Sequence, residues 1–232
     1  MKTLNPKDTA ILFFAHTSEE EVKHKNIENG HFLFQTLTNK TLQTIKRTGL
    51  PYFHFTEKDQ KGTSFGERFT NAIEYVFTMG FEKVITIGND SPLLKTKHLL
   101  KASKNISANK SVLGASTDGG FYLMGFHKTQ FKAQDFVGMP WKTSQLQKQV
   151  YTWAINNALD ICRLTVLRDI DTVKDVSTIS ALYAIKNTRI KKVLLKILDR
   201  LKRTVTPYTL LKISTRSLEI VCNKGSPTSL FS

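Results

Sequence analysis

Three places in this sequence set a carboxylate just after a short apolar run. Asp90 follows KVITIGN, Asp118 follows SVLGAST, and Asp169 and Asp171 follow CRLTVLR. Taken singly, each reads as a turn or cap residue: Asp-Ser-Pro starts turns, and Asp118-Gly119-Gly120 suits a hairpin. Taken together, they leave the ends of separate buried strands, where the loops of an open α/β sheet form a ligand crevice. A carboxylate aimed into that wet crevice loses little hydration. Such a set of hard oxygens suits Mg2+ or Mn2+, which keeps water and substrate phosphate oxygens as its other ligands.

Other residues are candidates for the substrate side of such a site. Asn89 adjoins Asp90, and Lys23 and Arg68 are candidate phosphate contacts. A guanidinium matches phosphate oxygens in a bidentate way, although Arg68 equally reads as a surface helix residue paired with Glu67 or Glu74. Trp141 and Thr143, in Pro140-Trp141-Lys142-Thr143, could bound an acceptor pocket, while Trp is more often simply packed. His16 reads as a hydrogen-bonded structural residue at the end of the first strand. The other five histidines show no ligand spacing.

These residues need elements to position them. The continuous apolar run Thr9–Ala15 predicts a strand covered on both faces. Further strands are predicted at Tyr52–Phe55, Lys83–Ile87, Ser111–Ala115, Phe121–Phe126 and Cys162–Leu167. Helical patterns run over Phe32–Thr48, closed by Gly49, and over Phe65–Met79, closed by Gly80. Thr96–Ile106, Ser144–Ala158 and Asp175–Lys186 complete the set. His16–Gly30 reads as a polar stretch. Alternating strands and helices predict an α/β fold, a Rossmann-like, mostly parallel sheet with flanking helices.

Length and composition bound the rest. A chain of 232 residues with 40% hydrophobic and 23% charged residues holds one sizeable domain with a real core, which excludes a disordered chain. Two cysteines exclude a disulfide framework. No apolar stretch approaches the ~18 residues of a spanning helix. The opening MKTLNPKDTAILFFAH has a basic start, but its apolar run is too brief for a signal-peptide core. A cytoplasmic protein is expected.

The formal charge of +15 invites anionic partners, and its distribution is uneven. From Lys186 to Ser232 there are eleven Lys/Arg against two Asp/Glu. The expected division is a domain over 1–185 and an appendage over 186–232. Within the appendage, Arg189–Val205 predicts an amphipathic helix with Ile190, Val193, Leu194, Ile197, Leu198, Leu201 and Val205 on one side. Packing on the domain is the first expectation for that apolar stripe. Peripheral contact with an anionic membrane through 189–205 is the second. Nucleic-acid binding is not expected, because no aromatic stacking platform interleaves the basic cluster.

Four ordered motifs add a resemblance. The runs GERFTNAIEYVFTMGFEKVITIGNDSPLL, LGASTDGGFYLMGF, MPWKTS and LRDIDTVKDV, spread over about residues 9–180, resemble a bacterial family of glycosyltransferase-A-like proteins of poorly defined activity. That family is similar in turn to the nucleotidyltransferases acting on phospholactate and molybdopterin. The resemblance implies a nucleotide-diphospho-sugar transferase fold of the glycosyltransferase-A type. It implies a divalent cation on Asp90, in Gly-x-Asp-x-Pro, with Asp169 and Asp171 completing the site. Asp118, Gly119, Gly120 and Tyr122 would line the acceptor or sugar side, Asp118 serving as base or acceptor-orienting group. The implied activity is metal-dependent glycosyl or nucleotidyl transfer from a nucleotide or nucleotide-sugar donor to a small acceptor.

The chain departs from the family after the first strand. Where relatives carry a Gly- and Lys-containing loop that wraps the nucleotide, this chain has Ala15-His16-Thr17-Ser18-Glu19-Glu20-Glu21-Val22-Lys23-His24-Lys25. Three glutamates stand where phosphate would approach, and Lys23 and Lys25 are the remaining cations. Two readings stay open: altered nucleotide binding, or a catalytically silent protein that kept the fold.

Overall fold

The computed structural model describes residues 8–199, apart from 26, 28–29 and 182–189. The apolar runs become strands. β1 (Thr9–Phe14) is buried along its whole length. It lies between β2 (Tyr52–Phe55) and β3 (Lys83–Ile87), parallel to both. β5 (Phe121–His127) pairs antiparallel with β3 and with β4 (Lys110–Ala115). β6 (Asp160–Arg163) closes the far edge parallel to β4. The order is β2-β1-β3-β5-β4-β6. Five strands therefore run one way and β5 alone runs against them, so the predicted α/β class and mostly parallel sheet hold.

Helices cover both faces. The side chains of β1 alternate, Ala10, Leu12 and Phe14 to one face and Ile11 and Phe13 to the other, as a pleated strand requires. On the first face Phe69, Ile73 and Val76 of α3 (Phe65–Thr78) pack with Phe136 of α5 (Ala133–Val137) and with Val150 and Trp153 of α6 (Leu146–Asn156). On the second, Ile45 of α2 (Gly30–Lys46) packs with Leu99 and Ala102 of α4 (Thr96–Asn105). The outer side of α2 builds a third cluster, where Leu33, Phe34 and Leu37 meet Val176 and Ile179 of α7 (Val173–Ala181).

Ile190, Val193, Leu194 and Ile197 join that third cluster from a helix, α8 (190–199). The predicted amphipathic stripe is thus covered by the domain over its described part, leaving Leu195 exposed. The tail beyond 199 and the division at 185/186 lie outside the described residues. No helix among those described is long and apolar enough to cross a membrane.

Two elements differ from expectation. Within the stretch read as polar, Ser18–His24 forms α1, with Thr17 as its N-cap accepting from the Glu20 amide. The predicted strand Cys162–Leu167 pairs only to Arg163. The chain then bows out at Thr165 and Val166, both exposed, and rejoins β4 through a bridge between Leu167 and Ser116.

Candidate functional site

The carboxyl ends of β1, β3 and β4 open at one rim of the sheet. Because β5 runs in reverse, its first residues sit at that rim too. A cleft of about 530 Å3 lies there, lined among others by Ala15, Asp90, Asp118, Phe121, Asp169 and Asp171.

Backbone contacts fix the two acidic loops against each other. After β6 the chain stays beside the sheet through Leu164 N–H to Leu113 O (2.8 Å) and Leu167 N–H to Ala115 O (3.1 Å). It then crosses to the loop after β3, where Ile170 N–H donates to Asp90 O at 3.0 Å. Asp90, Asp169 and Asp171 are thereby gathered from positions some eighty residues apart in the chain.

Their environments differ. Asp169 is buried and accepts a hydrogen bond from Ser91 Oγ. Burial, and then the nearby charge of Asp90, push its carboxyl up to about 8. Asp171 is also raised, by burial first and by Asp90, against the opposing pull of Lys25. Both carboxyls carry the mark of excess negative charge in partly dry surroundings.

The counter-charge is Lys25. Its Nζ lies 3.1 Å from Asp90 Oδ2, 2.9 Å from Asp171 Oδ1 and 3.8 Å from Glu21 Oε1, and it donates to Ile170 O at 3.1 Å. Burial works against its charge, but Asp90, Glu21 and Asp171 outweigh burial and hold the ammonium above its ordinary value. Asp90, Asp118, Asp169, Asp171 and Glu21 line the cleft against Lys25 and Lys142, so its lining is net acidic in a strongly basic chain.

The glutamates after β1 do not all face the cleft. Glu19 pairs with His31, and Glu20 with Lys23 and His24, and neither glutamate is in the cleft lining. Glu21 alone of the three is buried toward the cleft, near His16 and Lys25. The acids crowd α1's first turn because the positive end of the helix dipole favours them there.

Two candidate phosphate contacts lie elsewhere. Lys23 is spent on Glu20 at 2.6 Å on the exposed side of α1. Arg68 donates from Nη1 to Thr63 O and does not reach the cleft lining. Asn89 is in the lining, but its Nδ2 donates to Thr38 Oγ1 on α2, so it ties the acidic loop to that helix.

On the acceptor side, Asp118 is exposed in the β4–β5 turn and accepts from Gly120 N–H at 3.0 Å. Gly120 lines the cleft. Gly119 does not, and its φ of +96° shapes the turn. Tyr122 is almost fully buried, with its ring against the bare Cα of Gly114 and its hydroxyl donating to Thr165 O at 2.9 Å. It braces the bowed segment before Asp169. Trp141 donates from Nε1 to Phe136 O and packs on Phe65 and Phe69, forming an aromatic wall. Thr143 spends its hydroxyl on Pro140 O. His16 lines the cleft with Nδ1 3.6 Å from Glu21.

Among the described residues, no group of three or more His, Cys, Asp or Glu is arranged as a ready metal cage. The Lys25 ammonium stands between Asp90 and Asp171, while Asp169 accepts from Ser91. The chemistry of the donor set still fits a hard divalent cation, since carboxylate oxygens gather there, with Asp169 and Asp171 raised by burial first and by the charge of Asp90 after it.

Among solved structures, the fold is similar to one assigned as a nucleotide-diphospho-sugar transferase. A Desulfovibrio desulfuricans G20 protein bearing that assignment provisionally superposes with a TM-score of 0.71, covering 85% of this chain and 98% of its own at 22% identity; the likeness is one of fold. A cytidylyltransferase from Leptospira borgpetersenii serovar Hardjo-bovis (strain JB197) is more remote, with a TM-score of 0.44 at 14% identity over 85% of this chain and 94% of its own. Residues 37–143 match a family described as "Uncharacterized protein conserved in bacteria (DUF2064)". The resemblance to a bacterial family of poorly defined activity is therefore borne out over those residues. No curated protein matches.

Proposed function

We propose that this chain transfers a glycosyl or nucleotidyl group from a nucleotide or nucleotide-sugar donor to a small acceptor, with Mg2+ or Mn2+ held by Asp90, Asp169 and Asp171. The observation that carries the reading is the convergence of those carboxylates on one rim, held by the Ile170–Asp90 backbone hydrogen bond. A net acidic cleft repels a polyphosphate unless a cation stands between them. When bound, the cation would neutralise charge on the donor phosphates. Asp118, exposed in the same cleft lining, would orient the acceptor or take its proton. Phe65, Phe69 and Trp141 would exclude water along one wall.

The test is calorimetric titration with UDP, GTP or CTP plus Mn2+. Asp90→Ala should abolish metal-dependent nucleotide binding; equal affinity in wild type and variant would refute the assignment. α1 favours a second reading, a catalytically silent binding protein, since a helix bearing Glu21 stands where relatives have a nucleotide-wrapping loop. A thermal-shift screen separates the two: no shift with any nucleotide, with or without metal, supports the silent protein.

A further inference from the structure

Lys25 connects α1 to the acidic rim, and its side chain is only 13% exposed. Both ion pairs described for Asp90 and Asp171 run to this one amine. A third acceptor, Ile170 O, the Glu21 carboxylate at 3.8 Å, and the Phe34 ring, 5.4 Å from Nζ at its centroid, complete the ammonium's surroundings. The acceptors come from the loop after β3 and the segment after β6, whereas the lysine comes from the end of α1. The two loops that carry the carboxylates are also joined by the Ile170 N–H to Asp90 O hydrogen bond, which does not involve Lys25.

We propose that the Lys25 ammonium is the resident cation of this rim, occupying the position between Asp90 and Asp171, so that a divalent ion enters only by displacing it. This inference rests on the reading of the rim as a cation site. The exchange follows from charge and space. Coordination needs carboxylate oxygens at about 2.0–2.6 Å from the ion, and the same oxygens now face an ammonium at 2.9 and 3.1 Å. Two cations cannot share them at that separation without strong mutual repulsion. Being tethered, the amine competes at a high effective concentration and keeps the metal affinity of the free protein low. A displaced Lys25 remains at the cleft, one residue beyond α1, with its charge free for a donor phosphate.

The experiment is Mn2+ binding without nucleotide, followed by the electron paramagnetic resonance of free Mn2+. Lys25→Met keeps an unbranched stem against Phe34 and removes the charge. It should bind Mn2+ on the order of tenfold tighter than wild type; a merely structural lysine would give equal or weaker binding, and either result overturns the proposal. Should the variant fail to fold, amine acetylation of the wild type read by mass spectrometry decides. Lys25 should be protected without Mn2+ and labelled with it, and unchanged labelling at saturating Mn2+ overturns the exchange. Asp90→Ala separates the two claims. If wild type and Lys25→Met bind Mn2+ alike and Asp90→Ala does not bind, the cation site stands and the exchange falls. If none binds Mn2+, with or without nucleotide, both fall.

Discussion

Asp169 bears the heaviest electrostatic load at the cleft, being buried beside Asp90 with Ser91 as its hydrogen-bond donor. Its carboxyl is raised to about 8 from an ordinary 3.8, so the folded chain binds a proton that the unfolded chain releases. The linked stability is complete below about pH 4 and is lost as pH rises through 8. In chelator, the melting temperature should therefore fall across this window, and Asp169→Asn should flatten the fall. An unchanged slope in the variant would assign the pH dependence to other groups. The carboxylates of this rim were legible in the sequence, because a strand that ends in an acid announces where the acid goes. The pairing of Lys25 with Asp90 was not, since the two are 65 positions apart and belong to different elements. Lys23 and Arg68 were misplaced for a related reason: residue type suggests a partner, and helix phase decides whether the side chain reaches it.

At the level of elements, α3 carries a close contact that supports the aromatic wall. Gly66 sits where a Cβ would come within 2.5 Å of Val137 O and 3.0 Å of Trp141 Cδ1. Gly66→Ala must push α3 from the end of α5 or shift the indole, at a cost of about 1–3 kcal/mol. Urea denaturation should show a lower midpoint at unchanged slope; an unaltered midpoint would mean the contact yields freely. Strand and helix types were readable from apolar periodicity. α1 was missed although it had a signal: Thr17 followed by Glu20 is the start of a capping pattern. Three consecutive acids after Thr17 suit a helix N-terminus before they bear on any phosphate. The hairpin reversal of β5 was implicit in Asp118-Gly119-Gly120, which reads as a hairpin turn and lies in one.

Over the whole molecule, packing runs from α8 to the cleft without a break. Ile190, Val193, Leu194 and Ile197 are buried in the cluster that holds Phe34, and Phe34 lies beneath Lys25. Truncation before Arg189 would uncover Leu33, Phe34 and Leu37 and remove four buried aliphatic side chains, each worth roughly 1.5–3 kcal/mol. The shortened chain should melt well below the full chain, and equal melting would show that α8 adds nothing to the domain. Liposome co-sedimentation of the same pair reads membrane contact through this stripe. Because its apolar side is already covered over the described residues, equal pelleting is expected.

The chain's two tryptophans happen to divide inside from outside. Trp153 is buried, with Nε1 donating to Asp135, while Trp141 borders the cleft. With Trp153 replaced by Phe, all indole emission would arise from the cleft's own wall, giving the protein a built-in optical gauge of what enters it.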